Sequence, residues 1–175
     1  MDMATVEMVS VEEYLATSYR PDCDFIDGVV EKRNLGQRDH ALIQSQIPIW
    51  FWARRKALGL HAVTEWRILV AVGRYRVPDV CVVRLPVPRE QVLTSPPYIT
   101  IEVLSPEDTL AKLQQRLDDY LNMGVPNIWV IDAALKRGWR ATSDGLFEAK
   151  DGILRTSDLH VEMPLADLFV EDLDA

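Results

Sequence analysis

Two short stretches each place one acid inside an otherwise apolar, β-branched run: Arg76-Val77-Pro78-Asp79-Val80-Cys81-Val82-Val83 and Ile99-Thr100-Ile101-Glu102-Val103-Leu104-Ser105-Pro106. Val, Ile and Thr favour strands, so both runs read as buried strands. A carboxylate in such a run is costly unless it is paired, hydrogen-bonded or bound to a metal. Strands this close in sequence can lie side by side and set Asp79 and Glu102 on one face. Alternation puts Cys81 and Val83 on Asp79's side, and Thr100 and Leu104 on Glu102's side. The pair can then serve as an oxygen-ligand site for Mg²⁺ or Mn²⁺, which the Val103 backbone carbonyl can join. A cation there can polarise a phosphodiester and activate a water. The competing reading is structural: buried acids that cap a loop or pair with an arginine.

A chain of 175 residues, 48% of them hydrophobic, suffices for one domain with a sizeable core, taken as residues 1–175. No apolar run reaches a bilayer span, and the opening Met-Asp-Met-Ala-Thr-Val-Glu has neither a basic region nor an apolar signal core. A soluble, cytoplasmic protein with no membrane partner is expected. Cys23 and Cys81 match no zinc spacing and read as free thiols, Cys81 in the core. The net charge of -8 argues against strong non-specific nucleic-acid binding, which needs Lys and Arg to neutralise phosphates. It leaves room for an enzyme that meets phosphate through a bound cation.

Local signals give the order of elements. Ser10-Val-Glu-Glu13 is a capping box that opens a short helix, about Val11 to Thr17. Asp27-Gly28 turns a hairpin between Asp24 and Glu31. His40 to Leu58 has helical periodicity, with a kink or division expected at Pro48 and a stop at Gly59. Strands follow at Ala62 to Val72, Tyr75 to Arg84 and Tyr98 to Leu104. Ser105-Pro106-Glu107-Asp108 reads as a helix start, with a stripe of Leu110, Leu113, Leu117, Tyr120 and Leu121 ending at Gly124 and Pro126. A buried strand at Asn127 to Asp132, short hairpins and a closing helix near Ala166 to Val170 complete a mixed α/β chain with a central sheet flanked by helices.

Pro78-Asp79, Ile101-Glu102-Val103-Leu104-Ser105-Pro106, Arg116-Leu-Asp-Asp-Tyr120 and Gly124-Val125-Pro126-Asn127-Ile-Trp129-Val-Ile-Asp132 follow one another in an order that resembles the Uma-type restriction endonucleases of the PD-(D/E)XK nuclease superfamily. Ser10-Val-Glu-Glu-Tyr14-Leu and Asp24-Phe-Ile-Asp27-Gly28 resemble that family's opening, so the likeness runs from about Val9 to Phe169. It implies a restriction-endonuclease-like fold, Asp79 and Glu102 as metal ligands, DNA as substrate, and a homodimer, since cutting two strands needs two sites. Asp24 falls where the family carries glutamate, as an auxiliary acid; as a structural residue it would prepare the Asp27-Gly28 turn. The superfamily lysine two residues after the glutamate is here Leu104. The resemblance moves that role to the following helix, at Arg116. At about 100° per residue Arg116 lies about 40° round from Tyr120, facing the sheet. Arginine stays protonated and cannot act as a general base, but it can hold a phosphate oxygen or meet developing negative charge. Its structural alternative is an ion pair with Asp108, Asp119 or a strand acid.

Other candidates have plainer readings. His40 matches a family histidine, yet a lone histidine more often caps or packs. Trp50, Trp52 and Trp66 read as core rather than as base-stacking platforms, and Arg54-Arg55-Lys56 as a solvated helix end. The first functional reading is a Mg²⁺-dependent endonuclease hydrolysing DNA, with Asp79, Glu102 and Val103 at the metal and Arg116 and Asp24 beside it. The alternative is a degraded nuclease fold serving as a binding or oligomer-forming module, since fold alone does not fix activity. An unrelated α/β domain with structural acids ranks last.

Overall fold

The computed structural model describes residues 8–33 and 37–169. Helix α1 (Val11–Ala16) starts as its capping box dictates, with Ser10 Oγ accepting from the Glu13 amide at 3.1 Å. Strands β1 (Cys23–Ile26) and β2 (Val29–Lys32) pair antiparallel through Asp27-Gly28, both at positive φ (49° and 92°), the geometry of a two-residue hairpin turn. Helix α2 (Arg38–Leu58) runs unbroken through Pro48 and ends at Gly59, whose φ of 64° closes the last turn onto the Arg55 carbonyl. Of the kink or division expected at Pro48, the division is absent.

The two long strands expected next are each divided. Ala62 to Val72 becomes β3 (Leu60–Thr64) and β4 (Ile68–Ala71), separated at Glu65, whose φ is 52°. Tyr75 to Arg84 becomes β5 (Arg74–Arg76) and β6 (Val80–Arg84), separated at Pro78-Asp79. Proline has no N–H for a ladder, so β6 begins just after it. The inner halves β4 and β5 join the hairpin in a four-stranded sheet, β2-β1-β5-β4; the outer halves β3 and β6 join the main sheet. Asp79 therefore stands at the junction of two sheets, not within a strand.

The main sheet has the order β10-β9-β8-β7-β6-β3, with β7 Ile99–Leu104, β8 Ile128–Asp132, β9 Arg137–Thr142 and β10 Gly145–Glu148. Only β7 and β8 are parallel, and helix α3 (Leu110–Met123) is their crossover. The sheet's faces follow strand alternation. Val80, Val82, Ile99, Ile101 and Val103 pack against Ile43, Ile47 and Phe51 of α2. Cys81, Val83, Ile128 and Val130 pack against Leu113, Leu117 and Tyr120 of α3, which also meets Ile68 and Val70 of β4. Strands β11 (Ile153–Arg155) and β12 (Glu162–Pro164) and a 3-10 turn (Leu165–Asp167) close the α2 side. That turn stands where a helix near Ala166 to Val170 is expected; Val170 lies outside the described residues. The architecture is the expected mixed α/β one, a central mixed sheet between helices. Among the described residues no helix is long and apolar enough to cross a membrane.

The start of α3 differs from its sequence signal. Thr109, not Ser105, is the N-cap, its Oγ1 accepting from the Lys112 amide. Ser105 to Asp108 instead form a turn: the Asp108 amide bonds the Ser105 carbonyl, and Asp108 Oδ2 accepts from Ser105 N (2.9 Å) and Oγ (3.0 Å). Leu110, now the first helical residue, is 75% exposed rather than part of the apolar stripe. Trp52 is likewise 54% exposed, with the Arg55 guanidinium over its ring, whereas Trp50 is buried. Thr109→Ala is expected to lower the unfolding free energy by about 1 kcal/mol, read as a lower urea midpoint. Pro106→Ala, on the exposed turn, should change it by less than about 0.5 kcal/mol. The opposite order would put the helix start back at Ser105.

Candidate functional site

The antiparallel pairing of β6 and β7 ends at Val80↔Ile101, and Asp79 and Glu102 are the next residue along on each chain segment. Both carboxylates are about 2% exposed, and both line one cleft at the end of the main sheet together with Asp24, Arg33, His40, Val103 and Arg116. Pairing with β6 stops at Ile101, and Asp79 takes up the next amide on that edge: its Oδ2 accepts from the Val103 N–H at 2.7 Å. A strand residue's N–H and C=O point to the same neighbour, so the Val103 carbonyl faces the Asp79 side as well.

Each acid has its own guanidinium. Arg33, just past β2, donates from Nη2 to Asp79 Oδ1. Arg116 on α3 places Nε 3.0 Å from Glu102 Oε2, a charge contact off the hydrogen-bond direction, and bonds Asp108 Oδ1 through Nη2 at 3.0 Å. Tyr120, one turn on, donates its hydroxyl to Glu102 Oε1 at 2.7 Å. His40 Nε2 lies 3.4 Å from Asp79 Oδ2. Arg116 thus points at the sheet, as its angular distance from Tyr120 requires.

The two carboxylates titrate differently because their compensation differs. Burial raises Asp79, but the Arg33 guanidinium, His40 and the Val103 amide outweigh it and hold the group below the usual carboxylate range. Burial dominates at Glu102 and, with the Asp79 charge, outweighs Arg116, Arg33 and Tyr120, pushing it up to about 7. Burial alone would lower His40, yet its contact with Asp79 raises it. One acid is an anion and the other is poised near neutrality, the separation expected of neighbouring carboxylates.

Asp24 lines the cleft, but its oxygens are engaged: Oδ2 takes Arg76 Nη1 at 2.8 Å and Oδ1 takes the Val77 amide at 2.9 Å. Arg76, 2% exposed, also donates Nε to Asp119 Oδ2 at 2.7 Å; Asp119 further holds Arg74, which reaches Asp27 at 2.6 Å. This chain of ions ties β1, β5 and α3 together, and it fixes the helix that carries Arg116 and Tyr120. Among the described residues no three His, Cys, Asp or Glu side chains form a metal cluster. Mg²⁺ typically binds through one or two carboxylates and keeps several waters, so two carboxylates with a main-chain oxygen remain a fitting donor set.

The Uma2 family model, described as "Putative restriction endonuclease", matches residues 11–163. The chain belongs to the Uma2 family. The matched span runs from α1 into β12 and includes every cleft residue. A crystal structure described as "a putative nuclease belonging to DUF820 from Anabaena variabilis ATCC 29413" is similar, with a TM-score of 0.77 and 21% identity over 92% of this chain and 97% of that one. At that identity the likeness establishes a shared fold. No curated protein matches the chain.

In this Uma2 chain the residues that sequence reasoning missed are Arg33 and Arg76; of the ion-pair partners it offered for Arg116, Asp108 and the strand acid Glu102 are found, while Asp119 pairs with Arg74 and Arg76 instead. The signal for Arg76 was its alternation with Arg74 around the buried Tyr75. For Arg33 it was the i, i+2 spacing from Glu31 at the end of a hairpin strand. Arg76→Leu removes the guanidinium from buried Asp24, leaving it the Val77 amide, and leaves Asp119 to Arg74 alone. It is expected to cost about 3–5 kcal/mol at neutral pH. Unpaired acids have raised folded-state pKa values, so the loss should shrink as pH falls and they protonate. Urea denaturation at pH 7 and pH 4 measures both; a pH-independent loss would mean that Arg76 acts through packing instead.

Proposed function

We propose that the chain is a divalent-cation-dependent nuclease that hydrolyses DNA phosphodiester bonds. The observation that carries this reading is the pair Asp79 and Glu102, buried side by side at the end of two sheet strands with a cationic helix residue, Arg116, over them. Its family description and the fold it shares with the Anabaena variabilis protein support the same class. A Mg²⁺ or Mn²⁺ ion held by Asp79, Glu102 and the Val103 carbonyl would supply Lewis-acid polarisation of a phosphoryl oxygen.

The chain's own residues do the rest. The Val103 amide orients Asp79, and the Tyr120 hydroxyl orients Glu102. Burial raises the proton affinity of Glu102, so its carboxyl must give up a proton before it can hold a cation. Arg116, held by Asp108, meets negative charge developing on the phosphate; it donates and never abstracts a proton. Asp24 serves as a positioning residue through Arg76. Exposed Lys32 and Lys112 line the same cleft and supply local positive charge on a chain of net charge -8. One site per chain requires two copies for a double-strand cut, so a homodimer belongs to this reading, as does a cytoplasmic setting in which Cys23 and Cys81 stay reduced.

One observation favours the rival reading, a degraded fold used for binding: all four carboxylate oxygens of Asp79 and Glu102 already have a partner within the protein. Plasmid nicking decides. The wild type should cut with Mg²⁺ or Mn²⁺, Asp79→Asn and Glu102→Gln should not, and Arg116→Ala should be slower by on the order of 10² to 10³ while Arg116→Lys stays active. A wild type that never cuts and whose stability ignores the cation supports the binding module.

The proton on Glu102 gives an independent test. Its folded value near 7 lies above the ordinary 4.5, so the folded state holds more protons across that interval. Cation-free stability from this group is present below about 4.5 and lost as pH rises through 7. Relative to Glu102→Gln, the wild type should therefore lose thermal stability from pH 5 to pH 8. Millimolar Mg²⁺ should raise its Tm more at pH 8 than at pH 6. Parallel pH profiles for the two proteins would contradict the assignment.

A further inference from the structure

We propose that Arg33 is a built-in counter-cation that occupies Asp79 until a divalent ion arrives and must release it for the site to load. The inference rests on the nuclease reading above and concerns how that site is filled. Arg33 follows Lys32, the last paired residue of β2, and its backbone is held only by a hydrogen bond to the Cys23 side chain among the described contacts. Its guanidinium reaches across to Asp79 Oδ1, while Oδ2 of the same carboxylate faces the Val103 amide and His40. Oδ2 is thus anchored by a main-chain amide of the main sheet, whereas Oδ1 is held by the Arg33 side chain. Arg116 is differently placed: Asp108, itself bonded to Ser105, holds it on α3.

Charge decides which arginine leaves. With His40 neutral, Asp79, ionised Glu102 and Asp108 face Arg33 and Arg116, a net charge of about -1. Adding a divalent cation to that set leaves about +1 in a buried place, which is unfavourable. Departure of Arg33 brings the set close to neutral. Arg33 on Asp79 thus opposes entry of a cation, and its release removes that opposition.

The test is Mn²⁺ binding to the purified full chain, followed by calorimetry and by the paramagnetic signal of free Mn²⁺. Arg33→Gln is expected to bind Mn²⁺ at least about tenfold more tightly than wild type, because one close positive charge is gone. Arg33→Lys, which keeps the charge, should stay near the wild-type affinity, and it reports even if the glutamine variant folds poorly. Equal affinity in wild type and Arg33→Gln, abolished in both by Asp79→Asn, would overturn the exchange while leaving the nuclease reading intact. Absence of Mn²⁺ binding in every variant would overturn both.

Discussion

Two neighbouring buried carboxylates, Glu102 on β7 and Asp79 at the junction of two sheets, impose a demand that the surrounding structure is arranged to meet. Neither Asp79 nor Glu102 can remain ionised in an apolar sheet without opposite charge and donors. Asp79 meets the demand through a vacated ladder position, the Val103 amide, and through Arg33. Glu102 meets it through Tyr120 and Arg116 on α3, and only in part, which leaves its proton affinity high. The difference between the two acids follows from what stands beside each.

That arrangement depends on a second layer of ions. Asp24, Arg76, Asp119 and Arg74 link the hairpin, β5 and α3, and this linkage sets where Arg116 and Tyr120 fall over the main sheet. Buried ion networks add little net stability compared with apolar packing, but breaking one is costly. Here the network's consequence is positional: it fixes a crossover helix relative to the strand that carries Glu102. The break at Pro78 has the same character. It sacrifices one sheet pairing and in exchange places a carboxylate against the Val103 amide at the junction of two sheets.

Much of this was legible in the sequence because it is local. The capping box at Ser10, the Asp27-Gly28 turn, the Gly59 and Gly124 stops and the stripe of Leu113, Leu117 and Tyr120 are written in neighbouring residues. The shared face of Asp79 and Glu102 follows from a period of two. The divisions at Glu65 and Pro78-Asp79 were hidden because apolar residues continue on both sides. Ser105-Pro106-Glu107-Asp108 encodes a helix start and a side-chain-closed turn equally well, and the turn prevails once Asp108 binds Arg116. Partners far apart in sequence, such as Arg33 with Asp79 and Arg76 with Asp119, leave no periodic trace. They emerge only when sheet order brings the hairpin beside the cleft.

The central claim is that Asp79 and Glu102 form one cation site whose charge is presently balanced by arginines. A crystal structure of the protein soaked in Mn²⁺ above pH 7, with data collected at the manganese absorption edge, tests it most directly. The account predicts an anomalous peak bonded to Asp79, Glu102 and the Val103 carbonyl, with Arg33 withdrawn from Asp79. Arg33 still seated on Asp79, with manganese elsewhere or nowhere, would contradict it.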